Sequence, residues 1–283
     1  LNKTLFIEIS NFAFPNLITS TAGLVIGYVD TMLLTYFVDL GLVGVYNAIL
    51  PTVLMLSYFS GAVSTALFPM ISEIWARKEY EKINQSISLV YKYTLITIIP
   101  FSLIIFIFPE AILNTLFGPS FVIGSNPLRI ISIGVIFLSL AQVNFSILNG
   151  IGKPKEVTKT IIVSSVINTL ISLILISKYG LSGAVYGTTI SYIIMFIFTY
   201  YIIKKQIKFK VERIIDIFIS GLVLSLILVV LQKINLFQTK SLIFVYLIVI
   251  FIIYIVLIFF LRIVEKQEIK DIISKVRNKD KIK

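Results

Sequence analysis

Apolar runs such as FSLIIFIF at 101–108 and LIFVYLIVIFIIYIVLIFF at 242–260 have no polar face at either helical or strand spacing. Such segments recur along nearly the whole chain, each near the about 20 residues that a helix needs to cross a hydrocarbon core. Transmembrane strands would instead alternate over about ten residues. The sequence therefore predicts an all-α, polytopic transmembrane bundle of about eight helices over 14–37, 44–72, 88–108, 128–149, 158–177, 181–203, 214–231 and 241–261. Charged residues make up 14% of the chain, against the about 25% of a soluble domain.

Pro15 opens the first span, Pro51 lies in the opening turns of the second, and Pro100 kinks the third, all positions that a membrane helix tolerates. The longest connection, 109–127, contains AILNTLF, which reads as a short interfacial helix.

Basic residues fix an expected orientation. With the N-terminus cytoplasmic, inside segments hold 21 of the 25 Lys and Arg, and outside segments hold only Arg129, Lys178, Lys233 and Lys240. That asymmetry is the positive-inside pattern, so the net charge of +11 reads as topology in a cell membrane, with both termini cytoplasmic. The charges are dispersed between spans instead of forming one patch, so no nucleic-acid partner is expected. The tail VEKQEIKDIISKVRNKDKIK reads as a solvated basic segment or as an amphipathic helix on the anionic inner leaflet.

The chain has neither Cys nor His. Thiolates, disulfides, imidazole bases and the commonest metal ligands are thereby removed, and no catalytic residue, metal site or cofactor is expected.

Polar side chains inside the spans are the candidates for function. Ser20, Gly23, Gly27, Asp30 and Thr31 share one face of the first helix, and Asp30 is the acid placed well inside a span. An ionised carboxylate there costs several kcal/mol unless hydrated, paired or protonated. Asp30 thus reads as functional, or as lying near enough to the outer surface to reach water. In the fourth span Arg129, Ser132, Ser139, Gln142, Ser146 and Asn149 form a polar stripe with Asn144 beside it, suited to a wet cavity or an interhelical seam. Arg129 also fits simple snorkelling. Asn47, Tyr58, Gly61 and Thr65 line one side of the second helix, Gly183, Gly187 and Ser191 one side of the sixth, and Asn168 pairs with Ser172 in the fifth. GLVGVYNAIL at 41–50 is echoed by GLSGAVYGTTI from Gly180, either as a repeated hairpin or as chance in Gly/Ala/Val-rich sequence.

The stretches YVDTMLLTYFVDLGLVGVYNAIL, LFPMISEIWARKEYEKINQSISLVYKY, LFGPSFVIGSNPLRIISIGVIF and LNGIGKPKEVTKTIIVSSVINTLISLILISKYGLSGAVYGTTIS occur in this order. They resemble the C-terminal half of the polysaccharide biosynthesis (Wzx-type) flippases of the multidrug/oligosaccharidyl-lipid/polysaccharide exporter superfamily. The resemblance covers roughly 13–203 and reaches the last two helices by position only.

It implies a six-helix transporter lobe at 1–203, two additional helices at 204–261 and a basic cytoplasmic tail at 262–283. It further implies a fragment without the first lobe, completed by that lobe or by a partner subunit. The implied activity is non-enzymatic: translocation of lipid-linked oligosaccharide or polysaccharide precursors across the cytoplasmic membrane, with membrane lipid as surroundings. Asp30, Asn47, Arg129, Gln142 and Asn144 are then expected to line the substrate cavity, with Arg129 attracting phosphate and Asp30 coupling to a proton or sodium ion. Competing readings are a drug or metabolite exporter of the same superfamily, a glycan polymerase or glycosyltransferase, and a structural bundle serving another subunit. The outside segments carry only Asp39 and Glu110 as acids, which counts against the enzyme.

Overall fold

The computed structural model describes residues 28–207, 209–211, 213–233, 243–261 and 263–264, with Phe6, Ser10, Ala13, Phe14 and Leu17. Among these residues every regular element is helical. The first helix, α1, is described over 28–37, and there follow α2 (Leu40–Ala76), α3 (Tyr80–Ile107), α4 (Pro109–Leu116) and a 3-10 turn (Pro119–Gly124). Then come α5 (Ser125–Gly150), α6 (Pro154–Tyr179), α7 (Leu181–Gln206), α8 (Ile214–Lys233) and α9 (Ile243–Phe260).

Six of the described helical segments are long and apolar enough to cross a membrane, which makes this a multi-pass membrane protein. The stripe positions Ser20, Gly23 and Gly27, the start of the first span, Pro15, Lys3, Lys240 and the tail from 265 lie outside the described residues.

The helices are longer than their hydrophobic stretches. At 37 residues α2 is about 55 Å long, well beyond the about 30 Å of hydrocarbon. Its end is polar and still helical, with Arg77 donating to Glu73 one turn back at 2.7 Å. Lys78, at φ 59°, then breaks the helix. At the start of α3, Lys82 pairs with Glu79 at 2.5 Å, and this bond holds the Glu79 carboxyl below its ordinary range. Lys92, counted above among the inner basic residues, is buried within α3, its ammonium 5.8 Å from the Tyr93 ring. The loop segment expected as a short helix forms α4, with Pro109 at its first turn and Leu113 fully buried.

The chain divides into two compact units, Leu1–Glu212 and Arg213–Lys283. In the first, α5 is the central element, packing most extensively on α7 and α2 and also on α3. Glycines set the closest approaches. A Cβ on Gly124, the residue just before α5, would lie 2.6 Å from Val45, and one on Gly150 would lie 2.7 Å from Ile71, so the chain is pressed to α2 at both ends of α5. The hairpin from α6 to α7 turns on Gly180 alone, whose φ of +54° favours glycine. In the second unit, buried Ile217, Leu224 and Leu228 repeat along one face of α8, and Ile250, Tyr254 and Ile258 along one face of α9. Helical spacing thus gives each of the two helices one packing face.

Candidate functional site

Asp30 is fully buried in the first unit, among α1, α2, α6 and α7. Tyr46 of α2 donates its hydroxyl to Oδ2 at 3.2 Å, and Thr188 of α7 donates to the same oxygen. Both donors come from the echoed segments that open α2 and α7, so the two similar stretches meet at one carboxyl. Ser172 and Asn168 of α6 also face it, and Tyr192 lies close by.

Oδ1 of Asp30 and Oδ1 of Asn168 receive no hydrogen bond of full geometry, although Ser172 and Asn168 stand close enough to the Asp30 carboxyl for weaker ones. The Asn168 amide donates to Ser172 Oγ at 3.5 Å. Thr188 lies 3.1 Å from the Ala184 carbonyl as well as against Asp30, and its single proton serves one acceptor at a time. Gly187 gives α7 access, since a Cβ there would stand 2.3 Å from Ser172 Oγ.

The pocket therefore gathers one carboxyl and several neutral oxygens away from water. Such a set suits a proton or a hard cation, which prefers oxygen ligands. Among the described residues no three His, Cys, Asp or Glu side chains come together. An uncompensated carboxylate at this depth would cost several kcal/mol, so the carboxyl needs its donors, a proton or a counter-charge.

Asn47 sits one residue beyond Tyr46, accepts from Thr31 Oγ1 at 3.4 Å and is exposed. It thus neighbours Asp30 across the α1–α2 contact but looks outward. Arg129, in the second turn of α5, is half-buried and tied down, donating from Nε to the Phe106 carbonyl at 2.9 Å and from Nη1 to Asn126 at 3.0 Å. Its guanidinium also lies 5.9 Å from the Phe106 ring centroid.

Asn144 and Gln142, adjacent in the predicted set, part company. Asn144 is fully buried in a seam of α3, α5 and α7, accepting from Tyr91 Oη and donating to Thr199 at 2.9 Å. Gln142 faces an open groove of about 490 Å³ between α2 and α5. On the α2 side the wall is Gly61, Ser64, Thr65 and Phe68, and on the α5 side Phe145, Ser146 and Asn149 join Gln142. Ser146 donates across the floor to the Ser64 carbonyl, while Ser64 Oγ and Gln142 Oε1 have no partner.

Tyr46, Thr188, Tyr91 and Thr199 are polar participants that hydropathy alone does not single out. For Tyr46 and Thr188 the internal echo was the available signal, and for Tyr91 and Thr199 there was none.

The family described as "Lipid II flippase MurJ" matches residues 2–263. An uncharacterized membrane protein of Methanocaldococcus jannaschii, MJ1068, is 34% identical over 278 residues, covering 97% of this chain and 55% of that protein. The "Probable low-salt glycan biosynthesis flippase Agl15" of Haloferax volcanii is 24% identical over 217 residues, covering 76% of this chain and 46% of that protein. Among solved structures, the inward closed conformation of lipid II flippase MurJ superposes with a TM-score of 0.74 at 20% identity, covering 93% of this chain and 56% of that chain. The chain thus spans about half the length of these relatives.

Proposed function

Because the chain belongs to the lipid II flippase MurJ family, we propose that it forms one lobe of a transporter that moves lipid-linked oligosaccharide precursors between the leaflets of the cytoplasmic membrane. The similarity to a named glycan-biosynthesis flippase supports the substrate class. In this reading residues 1–203 are the six-helix lobe, 204–261 carry two further helices, and 262–283 are a basic tail. A second lobe or partner subunit would complete the path, and the 21 to 4 distribution of Lys and Arg supports cytoplasmic termini.

The physical problem is the head group. Each sugar hydroxyl taken into hydrocarbon without a partner costs several kcal/mol, which makes unassisted flipping very slow. A bundle with polar walls supplies partners while the lipid tail stays in the bilayer. Gln142 on the α2–α5 groove and exposed Asn47 would contribute to such a wall. Arg129, near the start of α5, would meet the anionic phosphate with the donors not committed to Phe106 and Asn126. Asn144 holds α3, α5 and α7 together and serves the path by positioning α5.

The observation that carries the reading is the Asp30 pocket: a buried carboxyl with one weakly partnered oxygen, closed by neutral side chains from three other helices. Asp30, Asn168, Ser172 and Thr188 would hold the coupling proton or sodium ion, which supplies the counter-charge that the carboxyl lacks. Occupancy would favour α1, α6 and α7 drawn together, and loss would loosen them, so a gradient biases one arrangement of the lobe.

The test is glycan export by the complete transporter carrying Asp30→Asn or Asp30→Ala, measured across pH and sodium concentration. Both variants are expected to lose most export and the dependence on the coupling ion. Wild-type export with an unchanged ion response in both would overturn the coupling role.

A further inference from the structure

Both α3 and α7 pack extensively on α5 but not on one another, so the space between them is closed by other means. One tie is Asn144 of α5, which accepts from Tyr91 of α3 and donates to Thr199 of α7. Another comes from the chain that follows α7. Ile207 leaves the helix in extended backbone, at φ −135° and ψ 121°, with its N–H still donated to the Ile203 carbonyl at 2.9 Å. Alternate residues of an extended segment face the same way, and here Ile207 and Phe209 are buried while Lys210 is exposed.

The Phe209 ring bridges the two helices. Its centroid is 5.6 Å from that of Tyr91 on α3 and 5.7 Å from that of Tyr200 on α7, the second pair meeting edge to face. Tyr200 in turn meets Phe196, and Phe196 meets Phe137 of α5. Contacts therefore run from α5 to α7, through Phe209 to α3, and by way of Asn144 back to α5. Within this circuit Phe209 is the member that no helix holds in place. Tyr91 serves both ties, its hydroxyl in one and its ring in the other. A connector meant only to join elements would be solvated and polar, whereas this one, just before the first unit ends at Glu212, seats an aromatic ring.

We infer that residues 207–211 form a releasable strap, with Phe209 as a plug that shuts the space between α3 and α7 where α7 ends. Burial of one such ring favours the seated form by about ten- to hundredfold, small enough for the strap to lift while the lobe stays folded. With the plug seated, water is kept from the seam of Tyr91, Asn144 and Thr199. With it withdrawn, the Asn144 hydrogen bonds compete with water and hold α3 to α7 more weakly. The strap thus sets whether this end of the lobe is shut or open, and it is independent of the Asp30 pocket and of the transport reading.

Trypsin supplies the test. The purified full chain in detergent is digested briefly, and each cut is timed by mass spectrometry. Cleavage after Lys210 requires the strap to lift, cleavage after exposed Lys78 gives the rate for an open turn, and cleavage after Lys92, buried in α3, reports global unfolding. In the wild type the Lys210 cut should be at least about tenfold slower than the Lys78 cut. Phe209→Ala and Tyr200→Ala should each speed it by about ten- to hundredfold with the Lys92 cut unchanged, whereas Tyr91→Phe keeps its ring and should leave it within about twofold. Amide hydrogen exchange over 195–206 should quicken in Phe209→Ala and not in Lys210→Ala. A Lys210 cut that matches Lys78 in the wild type, or that neither alanine variant alters, would overturn the strap. Equal acceleration at Lys92 would do the same by making Phe209 part of the general fold, and unchanged exchange in Phe209→Ala would overturn the plug.

Discussion

Replacing Gly183 by Ala tests how tightly α6 and α7 are apposed. A Cβ at Gly183 would lie 2.1 Å from the Leu175 carbonyl oxygen, 2.3 Å from its carbon and 2.6 Å from the Ile176 nitrogen. A carbon normally approaches a carbonyl oxygen no closer than about 3.3 Å, so the overlap exceeds about 1 Å. The obstacle is backbone, which has no alternative rotamer, and Gly180 is the single residue joining the two helices. Overpacking of this kind costs about 1–3 kcal/mol, and the rigid target places it at about 2–3 kcal/mol. Alanine recovers about 0.5–1 kcal/mol through its smaller entropy loss in a helix, leaving a net destabilisation of about 1–2.5 kcal/mol.

Gly61→Ala is the internal reference. It is the same chemical change within α2, with nothing for the new methyl group to strike, and it should stabilise by about 0.5–1 kcal/mol. Denaturation in mixed micelles, followed by circular dichroism, should therefore separate the two variants by about 2–3 kcal/mol. Equal stabilities would refute the close α6–α7 packing on which the pocket around Asp30 depends.

Two further outcomes are expected. Tyr91→Phe removes the donor to Asn144 Oδ1 in a fully buried seam and should destabilise by about 1–3 kcal/mol in the same denaturation assay, whereas Tyr58→Phe, at an exposed tyrosine, should change little. Because the chain has no Cys, Ser120→Cys in the exposed 3-10 turn gives a single label site. A membrane-impermeant maleimide should reach it from outside the cell, and reaction only from the cytosolic side would overturn the orientation.

The spans were legible because each apolar run is long enough to act by itself. Their ends were not. The second span, expected at 44–72, runs over Leu40–Ala76, and the third, expected at 88–108, begins at Tyr80. Once a helix leaves hydrocarbon it needs no apolar residues, and turns such as EKINQS hold their helix by backbone bonds and local ion pairs that hydropathy does not register. Asp30 stood out as a charge in an apolar setting, yet its partner Thr188 lies 158 residues away and looks like any other threonine. Gln142 and Asn144 are two positions apart, and on a helix that spacing turns side chains to different faces. Composition grouped them together, whereas packing sends one to the groove and the other to the seam. Tyr91 was hidden for a further reason: its ring belongs with the apolar residues and only its hydroxyl takes part in the bond.

The two glycines that clamp α5 onto α2 are 26 residues apart, a span of about 39 Å along the helix axis, longer than the hydrocarbon is thick. Two beams bolted at both ends cannot slide past one another. Sliding of α2 along α5 would have to prise both close approaches apart, so the pair holds its register and the groove between them keeps its shape.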